Sequence, residues 1–190
     1  IKHSFILKIL DENNLLKGRI CSIGDGKANF INGCLASNEK MVLYSVNLPQ
    51  ALIQDYLIIK RFNILTDDQI KVVNEEKDLN TENIKLFLIP AQNKLLLKDQ
   101  NIKLFTNIVS FQEMPMEDVN GYFEVIKNNK SYLYCCNQTE KINKYFEYPW
   151  GDGKKIFEEH CPFYKKYYNS HPPFIHEHVG KIIHSLTKFN

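Results

Sequence analysis

Gly24, Asp25 and Gly26 stand directly behind the largely apolar run Arg19–Ile23, and Phe30, Ile31, Cys34 and Leu35 then recur at helical spacing. A strand that runs into a glycine turn and then a helix is the opening of a nucleotide-binding βαβ unit. Glycine lets the backbone approach a ligand where any Cβ would intrude. The chemistry this spacing allows is therefore the seating of an adenosine-type cofactor by Gly24, Asp25 and Gly26.

The turn also narrows which cofactor. The dinucleotide fingerprint asks for a third glycine where Asn29 stands, and no Lys-Ser/Thr ending follows, which excludes a phosphate loop. A shortened glycine motif fits S-adenosylmethionine better than NAD, because that cofactor has no pyrophosphate to lay on the helix N-terminus.

Other candidate residues fall where further strands end. Asn47 lies 23 positions after Gly24, where an acidic residue is expected to accept bonds from the ribose hydroxyls. Asparagine still accepts through its carbonyl and donates through its amide, without the charge. Leu48 adjoins it at the cofactor site. Gln92, after Pro90-Ala91, is placed to contact the adenine. Asn107, Ser110 and Glu113 lie at and just beyond the end of the strand expected beside the first, so they face the reactive part of a bound ligand. Glu113 is the carboxylate chosen as general base, and partial burial would bring it into the working range. His171 and His176 stand behind it as candidates. A zinc site at His160, His171, His176 and His178 is disfavoured, since His-x-His shares one side only on a strand and no Cys-x-x-Cys supports it. No metal is expected.

The elements that must position these residues follow from periodicity. Helices are expected over residues 2–16, 27–37, 50–62 and 119–127. Strands are expected over 19–23, 41–46, 84–89, 102–109 and 131–137, with a short one at 71–73. The inner stripe of the 50–62 helix reads as Leu52, Tyr56, Ile59 and Phe62. Strands alternating with helices predict a doubly wound, mostly parallel sheet in an α/β fold. Beyond residue 138 the pattern dissolves into a segment rich in aromatic residues and histidine, where Trp150 is a candidate for stacking a sugar ring.

The 190 residues suit one domain, with a leading helix over 1–18, a cofactor-binding core over 19–137 and a C-terminal part over 138–190. Net charge of +2 predicts no strong pull toward nucleic acid. The five cysteines are odd in number, and Cys21, Cys34 and Cys135 lie in apolar runs, which reads as buried thiols in a reducing, cytoplasmic compartment. No window suits a membrane span. The chain opens on Ile1, which suggests a piece of a longer protein. The oligomeric state is left open, a homo-oligomer included.

The segments Ser22-Ile23-Gly24-Asp25-Gly26, Tyr44 to Leu52, Phe105 to Met114 and Tyr132 to Asn137 together resemble the sugar O-methyltransferases found with bacterial surface-polysaccharide biosynthesis. Those belong to the class I, S-adenosylmethionine-dependent superfamily. The most specific part is Asn107, Ser110, Glu113 and Met114, matching the family's Asn-x-x-Ser-x-x-Glu-Met. The family's second strand usually ends Asp-Leu-Pro, where this chain has Asn47-Leu48-Pro49. The resemblance implies a Rossmann-like three-layer α/β/α fold, a small-molecule acceptor of sugar type, and methyl transfer to its hydroxyl.

Overall fold

A computed structural model of the chain describes residues 2–38, 40–138, 154–157 and 182–190. Four helices alternate with strands: α1 (Lys2–Glu12), β1 (Arg19–Ile23), α2 (Asn29–Ser37), β2 (Val42–Asn47), α3 (Pro49–Arg61), β3 (Ile70–Val72), β4 (Leu86–Pro90), β5 (Leu104–Ile108), α4 (Met116–Asn128), β6 (Tyr132–Gln138), β7 (Lys154–Phe157) and β8 (Ile182–Lys188). A 3₁₀ segment, Ala91–Leu97, joins β4 to β5, and another, Phe111–Glu113, joins β5 to α4.

The strands form one eight-stranded sheet in the order β3-β4-β2-β1-β5-β6-β8-β7. Pairs from β3 through β6 are parallel. β8 runs antiparallel to both β6 and β7. This is the Rossmann-like α/β architecture of class I methyltransferases, with β1 central. Parallel strands need crossovers, and helices supply most of them.

Both faces of the sheet are covered, as parallel sheets require. Alternation along the strands sends Ile20, Leu43 and Leu104 to one side with Ile6, Ile9, Phe30, Ile31, Leu52 and Ile59 of α1, α2 and α3. It sends Cys21, Ile23, Tyr44 and Phe105 to the other, against Leu97 and against Val119, Tyr122, Phe123 and Ile126 of α4. Cys21, Cys34 and Cys135 are buried free thiols, and Cys136 is buried with its Sγ 3.8 Å from His184 Nε2. Burial raises Cys21 well above its usual value and pushes Cys135 up to about 12, so both stay protonated. No described helix is long and apolar enough to cross a membrane.

Several expectations are corrected. α1 stops at Glu12, not residue 16: Asn14 takes a left-handed φ of 58°, its amide bonds Asp11 O at 2.7 Å, and Leu15 N bonds Leu10 O at 2.8 Å. That pattern terminates a helix with asparagine in the place glycine usually fills. α2 begins at Asn29 because Ala28 is also left-handed, at φ 48°. Pro90 closes β4 inside the sheet, in register with Asn47.

The inner face of α3 is Leu52, Asp55 and Ile59. Tyr56 sits at the rim, donating to Asp67 at 2.8 Å, and Phe62 is 61% exposed. The C-terminal part contributes two strands where no pattern was expected. β8 buries His184, Ser185 and Thr187 along with Leu186, which erases the polar–apolar alternation that would announce it. Tyr134 Oη of β6 lies 2.6 Å from His184 Nδ1, which satisfies that burial.

Phe123 is 1% exposed and its ring lies 5.9 Å from Phe111 and 5.8 Å from Phe189. Phe123→Ala is expected to lower stability by about 3–5 kcal/mol in urea unfolding. A loss below about 1 kcal/mol would contradict this packing.

Candidate functional site

The strand ends decide what can be built here. β1, β2, β4 and β5 all finish at the same edge of the sheet, with Ile23 level with Val46 and Asn107, and Asn47 level with Pro90. After β1 the chain builds toward β2 and β4, then returns to place β5 on β1's other side. A crevice opens at such a switch point, outside the carboxyl ends of the strands. Gly24, Asp25, Gly26, Asn47, Leu48, Gln92, Ser110 and Glu113 all lie on the loops at this edge.

The turn after β1 is held by Gly24 N, which bonds Val46 O at 2.8 Å. Gly24 and Gly26 are left-handed, at φ 71° and 63°. Their neighbourhoods differ. A Cβ on Gly24 would sit 2.0 Å from Ser110 Oγ, so the protein itself demands this glycine. A Cβ on Gly26 would meet nothing closer than Gly24 O at 3.9 Å, so the space over Gly26 is open.

Asp25 turns back on the helix it precedes. Its carboxylate accepts from Phe30 N at 3.2 Å and Ile31 N at 2.9 Å, amides in the first turn of α2. A helix N-terminus normally offers these donors to an anion. Here Asp25 already holds them. Burial raises the Asp25 carboxyl above its ordinary value, and the amide bonds of Ile31, Phe30 and Asn29 pull it part of the way back.

The end of β2 carries a second buried acid that periodicity did not reveal. Asn47 Oδ1 accepts from Leu48 N at 3.0 Å, and Asn47 Nδ2 donates to Asp55 Oδ2 at 3.2 Å. Asp55 is 0% exposed, and Ser45 Oγ lies 3.5 Å from the same oxygen. Its other oxygen, Oδ1, has no hydrogen-bond partner among the described residues. Burial is the largest influence and raises this carboxyl. The Asn47 bond opposes it, the charge of Asp25 adds to it, and the Ala28 amide and Ser45 oppose it more weakly. The available signal was a carboxylate among the apolar positions 52, 55 and 59.

At the end of β5, Val109 adopts φ 62°, a left-handed conformation that a β-branched residue rarely takes and that costs roughly 1–3 kcal/mol. Polar side chains hold it there. Asn107 Nδ2 donates to Ile23 O at 3.1 Å, while its Oδ1 accepts from Phe111 N at 2.9 Å and Asn137 Nδ2 at 3.0 Å. Asn137 in turn accepts from Gln112 N at 3.3 Å. Asn107 is 0% exposed, so it supports the loop from beneath and presents no surface to a ligand. Ser110 stands over Gly24. Glu113 is exposed on the next turn, against the partial burial expected of a general base, and accepts from Gln112 Nε2 at 3.1 Å.

Gln92 is exposed on the 3₁₀ segment after β4, and Leu48 is 64% exposed beside Asn47. His171, His176 and Trp150 lie outside the described residues. No cluster of three His, Cys, Asp or Glu among the described residues could hold a metal ion.

The geometry makes two predictions. Gly24→Ala is expected to destabilise by roughly 1–3 kcal/mol, and Ser110→Gly added to it to restore part of that loss. Additive losses in urea unfolding would deny the contact. Because burial raises Asp55 above its ordinary 3.8, the folded state holds that proton more tightly than the unfolded chain. Ionisation of Asp55 therefore costs stability as pH rises above that value. Asp55→Asn should gain on the native sequence as pH rises above about 4, and a difference that stays flat with pH would contradict the burial argument.

No protein-family model matches this sequence, and no curated protein matches it. Solved structures do match its fold. A S-adenosylmethionine-dependent methyltransferase from Clostridium acetobutylicum superposes with TM-score 0.61 at 11% identity, covering 99% of this chain and 91% of that one. A SAM-dependent methyltransferase from Aquifex aeolicus gives TM-score 0.59 at 12% identity, covering 95% and 87%. An rRNA methylase from Streptococcus thermophilus gives 0.53 at 13% identity, covering 100% and 95%. At these identities the likeness concerns architecture, and the chain has the class I methyltransferase fold.

Proposed function

We propose that this chain is a S-adenosylmethionine-dependent O-methyltransferase whose acceptor is a hydroxyl of a sugar or sugar nucleotide, serving surface-polysaccharide biosynthesis in the cytoplasm. The observation that carries the cofactor is the occupation of α2's first-turn amides by Asp25. A pyrophosphate would need those donors, whereas a cofactor without phosphate does not. The open space over Gly26 and the half-exposed Asn47 at the end of β2, on the same edge of the sheet, fit a nucleoside. The sugar acceptor rests on the resemblance over residues 19–137 alone, and methylation of another small molecule is the nearest rival.

S-adenosylmethionine, when bound, supplies an electrophilic methyl group that an acceptor oxygen takes by displacement. Residues 24–26, Asn47, Leu48 and Gln92 would hold its nucleoside end at the crevice. Ser110 fixes the turn from the β5 side, and Asn107 keeps that loop in place from below. Most of the rate then comes from positioning, since the acceptor must meet the methyl group in line. Glu113 is the base assigned to take the hydroxyl proton, with His171 or His176 as alternates.

A second reading, a non-catalytic domain that keeps the fold for protein contacts, draws on the uncharged Asn47 and on Ile53, Leu57 and Phe62, each more than 60% exposed on or beside α3. Calorimetry separates the two. S-adenosylmethionine should bind, and no heat at roughly millimolar ligand, about the weakest affinity such a titration resolves, would leave only the second reading. Glu113→Gln should bind the cofactor unchanged and lose about 10²–10⁴ in kcat, whereas full turnover would remove Glu113 as the base.

A further inference from the structure

A carboxylate inside a core, paired with no described cation, demands a reason. Asp55 occupies an inner position of α3 between Leu52 and Ile59, where an apolar residue would pack at no electrostatic cost. It is 0% exposed, no described cation pairs with it, and Asp25 repels it. Oδ1 finds no partner among the described residues. Asp55 Oδ2 accepts a 3.2 Å bond from Asn47 Nδ2, on the residue that ends β2 where a ribose-binding acid is expected, and the Ala28 amide and Ser45 favour the ionised carboxylate more weakly.

That bond fixes which way the Asn47 amide faces. Rotating it by half a turn would aim Oδ1 at the Asp55 carboxylate and Nδ2 at the Leu48 amide, two repulsive contacts in place of two attractive ones. In the orientation held by Asp55, one N–H and one carbonyl lone pair of the half-exposed amide are uncommitted among the described residues. Those two groups match vicinal hydroxyls, one accepting and one donating.

We infer that Asp55 is a positioning residue for a nucleoside's vicinal diol, acting through Asn47: the Asn47–Asp55 pair replaces the single carboxylate expected at the end of β2. The inference rests on the S-adenosylmethionine reading proposed above. The negative charge has moved from the strand end to the second turn of α3, and the asparagine conveys it. The pair selects for both ribose hydroxyls, and its charge disfavours a ribose that carries a phosphate.

Exchange of the two residues tests this by titration of S-adenosylhomocysteine, with circular dichroism confirming that each variant folds. Asp55→Asn should weaken binding by about tenfold, because a neutral carbonyl replaces the charged acceptor and the new amide can also turn its N–H groups toward Asn47, so the orientation is no longer enforced. Asn47→Asp should weaken it at least as much, since it sets two carboxylates against each other at the 3.2 Å contact. Asn47→Asp combined with Asp55→Asn restores one acid and one amide, and should return binding to within about threefold of the native sequence. Additive losses in the double variant, or native affinity in Asp55→Asn, would overturn the inference. Should the variants not fold, the native protein and S-adenosylhomocysteine lacking the 2′-hydroxyl provide the test. A loss of about tenfold supports the pair, and equal affinity for both compounds overturns it. Absence of S-adenosylhomocysteine binding by the native protein is a different outcome, which overturns the cofactor reading itself.

Discussion

The side chain of Asn107 ties together the parts of this molecule that matter for its site. One amide joins the last carbonyl of β1, the first turn after β5 and Asn137 on β6, without any exposure to solvent. Buried amides with most of their bonding capacity satisfied specify a geometry rather than merely stabilise one. The consequence here is a β5 loop held with Val109 in a conformation it would not choose, and Ser110 pressed over Gly24. The glycine at position 24 is therefore demanded by the protein's own packing. The glycine at position 26 is the one beside open space.

Polar groups on the α2 and α3 side of the sheet shape what the crevice accepts. Asp25 closes the N-terminus of α2 with its own carboxylate, and Asp55 lies buried behind Asn47. Both acids are raised by burial, and each ionised form is unfavourable to the other. Two acids held this way cost stability at neutral pH, a pattern associated with functional sites more than with packing. Together, on the proposed reading, their charge would disfavour a phosphate at this edge of the sheet.

Much of the fold could be read from residues 19–137, because fully buried parallel strands leave continuous apolar runs bounded by Gly24, Pro49 and Pro90. β8 could not be read, since His184, Ser185 and Thr187 are buried in the folded sheet, with Tyr134 as the partner of His184. The inner face of α3 was misassigned for a related reason. Phe62 looks like a core residue by type and Asp55 like a surface one, yet the helix turns Asp55 inward and leaves Phe62 exposed, with Tyr56 packed against the core from the rim. The candidate site was legible as a set of strand ends. The division of labour within it was not, because whether Gly24 or Gly26 faces a ligand, or Asn107 faces inward, depends on contacts between distant segments.

A crystal structure with bound S-adenosylhomocysteine tests the central claim most directly. The account predicts the nucleoside across residues 24–26, its ribose hydroxyls within hydrogen-bonding reach of the Asn47 amide, and Asp25 still capping α2. A nucleoside seated elsewhere, or one that displaces Asp25 from the α2 amides, would contradict it.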